Sequence, residues 1–209
     1  MSKVITIAQQ KGGSGKTTIA ANLATVFSLK NNFSTTLLDT DPQGSLGKWF
    51  MTRKEKLKDK NTLQFKTASL WGAQYEAKTL KEKCDIVIID TPPKIDADGR
   101  PAIEIADLVL IPISPSQVDF WATESIIELA KREKKEIFII GGGKVYEYAL
   151  TNNLIDIIYL TRIHAQVDGD TFFPKIDMVK WQKISEKFHP KDDNHKYDFT
   201  FLKFEKKIN

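Results

Sequence analysis

A chain of 209 residues, 41% of them hydrophobic and 28% charged, is long enough to bury a sizeable core as one domain or two small ones. With 11 Gly, 8 Pro and a single cysteine, the composition excludes disordered, collagen-like and disulfide-rich classes. The net charge of +4, from 31 basic and 27 acidic residues, permits weak contact with nucleic acid without arguing for it.

In chain order, Lys3 to Gln9 (KVITIAQ) is a β-branched run ending at a Gly-rich turn, and Thr17 to Leu29 carries apolar residues at helical spacing. Thr35 to Asp39 (TTLLD) reads as a strand and Gly44 to Lys60 as an amphipathic, basic helix. Asp85 to Asp90 (DIVIID) and Leu108 to Ile113 (LVLIPI) are near-continuous apolar strands, the pattern of a parallel sheet covered on both faces. A helix from Val118 to Lys134, a strand at Glu136 to Ile140 (EIFII), a helix from Lys144 to about Leu150 and a strand at Ile155 to Ile163 follow. Tyr197, Phe199 and Phe201 alternate with polar neighbours. With Trp181 to Phe188 and the polar turn Pro190 to His195, they predict an antiparallel hairpin with one buried face. Cys84 fits a small buried hydrophobe ahead of a strand. No apolar run approaches the roughly 18 residues of a membrane span, and MSKVITIAQQ lacks a signal-peptide layout, so a cytoplasmic protein without membrane contact is expected.

The segment Lys11-Gly12-Gly13-Ser14-Gly15-Lys16-Thr17-Thr18 lies between a strand and a helix. Glycines there let successive amides point at phosphate oxygens, and the helix start adds the positive end of its dipole. Lys16 is placed to reach the β- and γ-phosphates, and the Thr17 hydroxyl to ligate Mg²⁺. Gln10 stands where the strict pattern has glycine. Asp39-Thr40-Asp41-Pro42-Gln43 and Asp90-Thr91-Pro92-Pro93 end two strands, the edge where ligands bind in an open parallel sheet, and Asp90 is suited to hold Mg²⁺ through water. A strand-end Asp is also a common helix cap.

These residues carry a resemblance. Lys11 within KGGSGKTT is similar to the deviant Walker A motif of ParA/MinD partitioning ATPases, DTDPQGS to their second motif, and IVIIDTPP to their Walker B. VLIPISPSQVDFWA resembles their next strand and Pro-containing loop, so the likeness covers about residues 1 to 125. It implies a P-loop, doubly wound, mainly parallel α/β sheet and Mg-ATP held by residues 12 to 18. It also implies that Lys11 reaches across an ATP-dependent homodimer, Asp41 orients the attacking water, and Asp39 and Asp90 support the metal. The implied function is slow ATP hydrolysis with a DNA or partition-complex partner.

Beyond about residue 125 the text changes. KKEIFIIGGGKVYEYAL, DIIYLTRIHAQVDGDTFFP and WQKISEKFHPKDDNHKYDFTFLKFEKK resemble the carboxyl-terminal half of dihydrofolate reductase, including its antiparallel hairpin. The resemblance implies NADPH pyrophosphate at Gly141, Gly142, Gly143, Lys144, Val145 and Tyr146, folate near Thr161, and a motif match at Asp170-Thr171. Read by themselves, three glycines between strand and helix are equally a tight connection with no ligand. Residues 1 to 120 hold no counterpart of that family's first strand, active-site loop or folate-binding carboxylate. The expectation is therefore two regions, 1–124 and 125–209, sharing one sheet, with EIFII as a further parallel strand and the hairpin at an edge. A reductase-related NADPH-binding protein and an inactive fusion remnant are the alternatives.

His164, His189 and His195 lack metal-ligand spacing; Trp49, Trp71, Trp121 and Trp181 are expected in cores. Lys48, Arg53, Lys54, Lys56, Lys58 and Lys60 fit a solvated helix face, with DNA phosphates as the alternative.

Overall fold

The computed structural model describes residues 2–30, 33–60, 62–93, 99–114 and 117–207. They form two compact units that divide between Gly141 and Gly142.

The first unit alternates strand and helix: β1 (Lys3–Ile7), α1 (Lys16–Lys30), β2 (Thr35–Asp39), α2 (Ser45–Leu57), β3 (Gln64–Thr67), α3 (Ala73–Lys81), β4 (Ile86–Asp90), α4 (Arg100–Glu104), β5 (Leu108–Pro112), α5 (Gln117–Arg132) and β6 (Glu136–Ile140). The strands make one parallel sheet in the order β3-β2-β4-β1-β5-β6. β1, β2 and β4 are near-unbroken runs of Val, Ile, Leu and Thr because both faces are covered. Ile5, Ile7, Leu37, Ile88 and Leu110 meet Ala20, Ala21 and Ala24 of α1 and Leu46 and Phe50 of α2. Val4, Leu38, Val87 and Ile89 meet Ala73, Ala77 and Leu80 of α3 and Ala102 of α4. Small alanines on α1 and α3 let the helices lie close, and each large aliphatic side chain so buried contributes about 1.5–3 kcal/mol.

Parallel register sets up the functional edge. Ile7 is level with Asp90, and Asp90 with Asp39, so β1, β4 and β2 end together. The loop after β1 and both strand-end acids therefore emerge side by side at the carboxyl edge.

The second unit is α6 (Gly143–Thr151) and an antiparallel sheet of β7 (Ile157–Ile163), β8 (Trp181–His189) and β9 (Phe199–Lys206), in the order β7-β9-β8. Its core is Ile158, Trp181, Leu202 and Phe204, with Leu150, Ile155, Leu160 and Ile176 packed on it.

Three expectations need correction. EIFII does add to the parallel sheet, as β6 beside β5, but the hairpin belongs to a separate sheet with β7 and not to an edge of the first. The buried face of β9 is the even-numbered one, Thr200, Leu202 and Phe204; Phe201 and Tyr197 are exposed. FTFLKF is apolar on both faces, so its aromatic alternation pointed to the wrong one. Trp71 is 73% exposed, whereas Trp181 is buried and Trp49 packs on the core; the Trp121 side chain lies outside the described residues. Cys84 is buried as expected, its thiol donating to the carbonyls of Leu80 and Ile86. β3, α3 and α4 are elements the sequence reading did not separate.

Candidate functional site

The loop between β1 and α1 turns through Gly13 at φ 77° and Gly15 at φ 87°, left-handed conformations that strain any side chain. A Cβ added at Gly12, Gly13 or Gly15 would meet no atom within 4 Å, so the loop's flank is open. The first α1 bond runs from the Ile19 amide to the Gly15 carbonyl at 2.9 Å, and the amides before it have no acceptor within the helix. Such a cradle with a helix dipole behind it is an anion site.

Lys16 is buried at the start of α1, and its Nζ donates to the Lys11 carbonyl at 3.1 Å. Burial holds its pKa below the usual lysine range, against the opposing pull of Asp90 and Asp41. Thr17 Oγ1 donates to Asp90 Oδ2 at 2.7 Å. The other oxygen of that carboxylate, Oδ1, is shielded from solvent and has no hydrogen-bond partner among the described residues; the same holds for Ser14 Oγ. An ionised oxygen left this way is costly. Burial, the largest cause, lifts the Asp90 pKa to about 6; Asp39 and Asp41 add to the rise, against the Thr17 hydrogen bond and Lys16. A hydroxyl beside a carboxylate, with one oxygen unpartnered, is the oxygen-donor chemistry that a hydrated Mg²⁺ uses.

Asp39 acts differently. Its Oδ1 accepts from the Asp41 amide at 3.0 Å and its Oδ2 from the Gly47 amide at 3.2 Å. Both oxygens thus hold the turn between β2 and α2, while burial raises its pKa. A Cβ at Gly47 would come 3.3 Å from the Phe65 ring and 3.9 Å from Asp39 Oδ2, which fixes that close approach. Asp41 is half-buried and caps its own turn, Oδ1 accepting from the Gln43 amide at 3.0 Å. Lys11 and Thr18 are exposed.

Several residues of the site's frame escaped the sequence reading. Gln9 is 0% exposed. Its Nε2 donates to the Pro112 carbonyl at 3.2 Å and to Thr123 Oγ1 at 2.9 Å, and its Oε1 accepts from the Gln10 amide at 2.8 Å. Gln10 in turn donates to Ser125 Oγ at 2.9 Å, so the loop's entry is fastened to α5. Thr40 Oγ1 donates to the Asp90 carbonyl at 2.7 Å, and Thr91 Oγ1 to the Ile7 carbonyl at 2.8 Å, locking the strand ends together. A polar residue closing an otherwise apolar strand was the available signal.

In the second unit, Gly142 precedes α6 in an extended conformation, its carbonyl accepting from the Val145 and Tyr146 amides. A Cβ on Gly143 would stand 2.7 Å from the Phe172 carbonyl oxygen and 3.0 Å from Thr171 Cγ2, a close approach that only glycine allows. Val145 is core, the Tyr146 ring lies 5.4 Å from that of Phe173, and Lys144 is exposed. Gly141 ends the first unit. Thr161 sits exposed on β7 opposite Phe201, and Thr171 Oγ1 donates to Asp170 Oδ1 at 3.0 Å. Among the described residues no cluster of acids, histidines or cysteine is arranged to hold a metal, and no helix is long and apolar enough to cross a membrane.

Comparison with known proteins divides the chain at another place, within the first unit. The family model of an AAA domain matches residues 2–77, that of the ATPase MipZ residues 72–130, and that of dihydrofolate reductase residues 113–206. Two likenesses therefore meet in one chain. Dihydrofolate reductase of Lactococcus lactis is 36% identical over 99 residues, covering 47% of this chain and 53% of the relative. The maintenance of carboxysome distribution protein A of Halothiobacillus neapolitanus is 29% identical over 132 residues, 63% of this chain and 59% of the relative. A plasmid partition protein from Borrelia burgdorferi superposes with a TM-score of 0.56 at 26% identity, covering 67% of this chain and 78% of that one. The chain spans about half the length of the curated relatives it matches. The amino-terminal part is similar to partitioning ATPases and the carboxyl-terminal part to dihydrofolate reductase.

Proposed function

We propose that the first unit binds Mg-ATP as a partitioning ATPase does, with the reductase-like segment serving as a structural replacement for that family's remaining strands. The observation that carries the reading is the unpartnered Asp90 Oδ1 beside Thr17, at the mouth of a loop whose left-handed glycines leave its amides open. Thr17 and Asp90 would hold the metal, Asp39 would keep the turn that carries Asp41 in place, and Lys16 would leave the Lys11 carbonyl for phosphate oxygens. Mg²⁺ neutralises charge on the bridged phosphates. Asp41 would orient a water molecule, and Lys11 would reach the phosphates of a second protomer in an ATP-dependent dimer. Slow hydrolysis gating contact with DNA or a partition complex is the corresponding activity.

We infer that the boundary between the two ancestral segments lies within α5, where the matched ranges overlap at residues 113–130. NADPH at residues 141–146 gains no separate argument, because Phe172 within the same chain already accounts for Gly143.

The test is thermal unfolding of the purified chain with Mg-ATP and, in parallel, with NADPH. A ligand that binds only the folded state adds about 2.7 kcal/mol at a hundredfold excess over its dissociation constant. A rise with Mg-ATP that disappears in Lys16→Ala supports the proposal; a rise with NADPH alone refutes it.

A further inference from the structure

Among the described residues, Ala8 is the last before the phosphate loop whose amide donates to a strand carbonyl, that of Leu110 at 3.0 Å. Gln9 and Gln10 span the gap from there to Lys11, and their side chains take over from the backbone ladder. Gln9 is wholly buried, which is costly unless its amide is paired. Only one orientation of that amide serves. The Pro112 carbonyl can only accept and the Gln10 amide can only donate, so Nε2 faces Pro112 and Oε1 faces Gln10. In that orientation Nε2 also reaches Thr123 Oγ1 on α5. Gln10 repeats the contact one residue later, its Nε2 donating to Ser125 Oγ. Both ends of one peptide unit are thus clamped to the same helix, whose residues lie 114 and 115 positions away in sequence. A buried polar network satisfied in a single arrangement fixes whatever it touches. α5 is itself held firmly: Ile126, Ile127 and Ala130 are buried, and Glu133, just past its end, pairs with Arg100 of α4 at 2.9 Å.

We infer that Gln9, Gln10, Thr123 and Ser125 form a latch that sets the conformation of the phosphate loop, so that Mg-ATP affinity is governed from α5. These are positioning residues, acting through the loop and not on the phosphates. They fix where Lys11 begins, and the Lys11 carbonyl is the acceptor that holds Lys16 Nζ in the nucleotide-free chain. On the reading of the first unit as a Mg-ATP site, on which this rests, control of that site lies on a helix distant in sequence. Thr123 and Ser125 both fall in residues 113–130, the stretch matched by the ATPase and the reductase models alike. The latch is therefore where the reductase-like text first touches the loop. Linkage makes the coupling reciprocal: nucleotide in the loop tightens the latch by the factor with which the latch tightens nucleotide.

Isothermal titration of the full chain with Mg-ATP, well below the thermal midpoint, tests it. A contact that merely stabilises the fold lowers the midpoint and leaves the affinity of the folded state alone. Thr123→Val keeps the shape of the side chain, removes the hydroxyl that Gln9 reaches, and weakens Mg-ATP binding by about tenfold. Thr123→Ser restores the hydroxyl and brings the affinity back to within about twofold of the parent. Should Thr123→Val fail to fold, the exposed pair decides instead. Gln10→Ala and Ser125→Ala each weaken Mg-ATP by about threefold, and the double variant binds no more weakly than either, because the two changes remove one contact. Parent-like affinity in Thr123→Val, or in both alanine variants where these decide, overturns the latch and leaves the Mg-ATP site standing. So do losses that simply multiply in the double variant. A parent chain that binds no Mg-ATP overturns the latch and the site together.

Discussion

Thr17 and Asp90 share a hydrogen bond of 2.7 Å that satisfies one carboxylate oxygen and leaves the other, shielded from solvent, without a donor among the described residues. Because the folded Asp90 pKa, about 6, lies above that of the unfolded chain, its contribution to stability is fully present below about pH 4. It is lost as pH rises through about 6, by roughly 1–3 kcal/mol. Metal-free Asp90→Asn should lack this slope and be more stable than the parent near neutral pH. Urea unfolding of both proteins at about pH 4 and about pH 7 checks it; parallel slopes would contradict the assignment.

Thr17→Val keeps the shape of the side chain but strips Asp90 of the one side-chain donor it has among the described residues. The metal-free protein should lose about 1–3 kcal/mol near neutral pH. Isothermal titration should also show ATP affinity in the variant no longer responding to Mg²⁺ against EDTA. A variant that still gains affinity from Mg²⁺ would place the cation elsewhere.

Gln9→Leu has nearly the same volume yet orphans the Gln10 amide and withdraws a donor from Pro112 and Thr123. A loss of about 3 kcal/mol is expected, several times what a surface Gln substitution costs. Denaturant midpoints of Gln9→Leu and of Gln64→Leu, an exposed position on β3, give the comparison.

Gly143→Ala drives a methyl group into the Phe172 carbonyl, whereas Gly142→Ala points into open space at an ordinary φ of −98°. The first should destabilise the carboxyl-terminal unit by about 1–3 kcal/mol, and the second by less than about 1. Hydrogen exchange over β7, β8 and β9 reads the difference; equal effects would mean that Phe172 does not set the requirement.

Cutting the chain after Gly141 leaves β6 on the parallel sheet, while cutting after Lys134 bares the whole edge of β5. The shorter fragment should aggregate and the longer one remain monodisperse, as light scattering would report.

How much of this the sequence disclosed depends on what each residue type can signal. Five of the six strands of the parallel sheet were legible because doubly covered strands are written in unbroken β-branched runs. The fragment QFKT, short and half-exposed at the sheet's margin, has no such run. Lys16, Thr17 and Asp90 were legible because loop, strand ends and helix start fall at fixed places along the chain. Gln9 was not: a buried amide looks like any polar residue entering a loop, and only its three partners reveal it. Phe199 and Phe201 misled because β9 is apolar on both faces, and the choice between them rests on Trp181 and Ile158, which lie far away in sequence.

β6 lies within the stretch matched by dihydrofolate reductase yet completes a sheet otherwise similar to that of partitioning ATPases. What the sheet asks of that position is only a five-residue aliphatic run, entered from a helix of sufficient length and travelling in the right direction. A strand, a helix and a parallel strand from either family can therefore satisfy this part of the sheet. Backbone pairing at that position selects for direction and apolar character, not for ancestry.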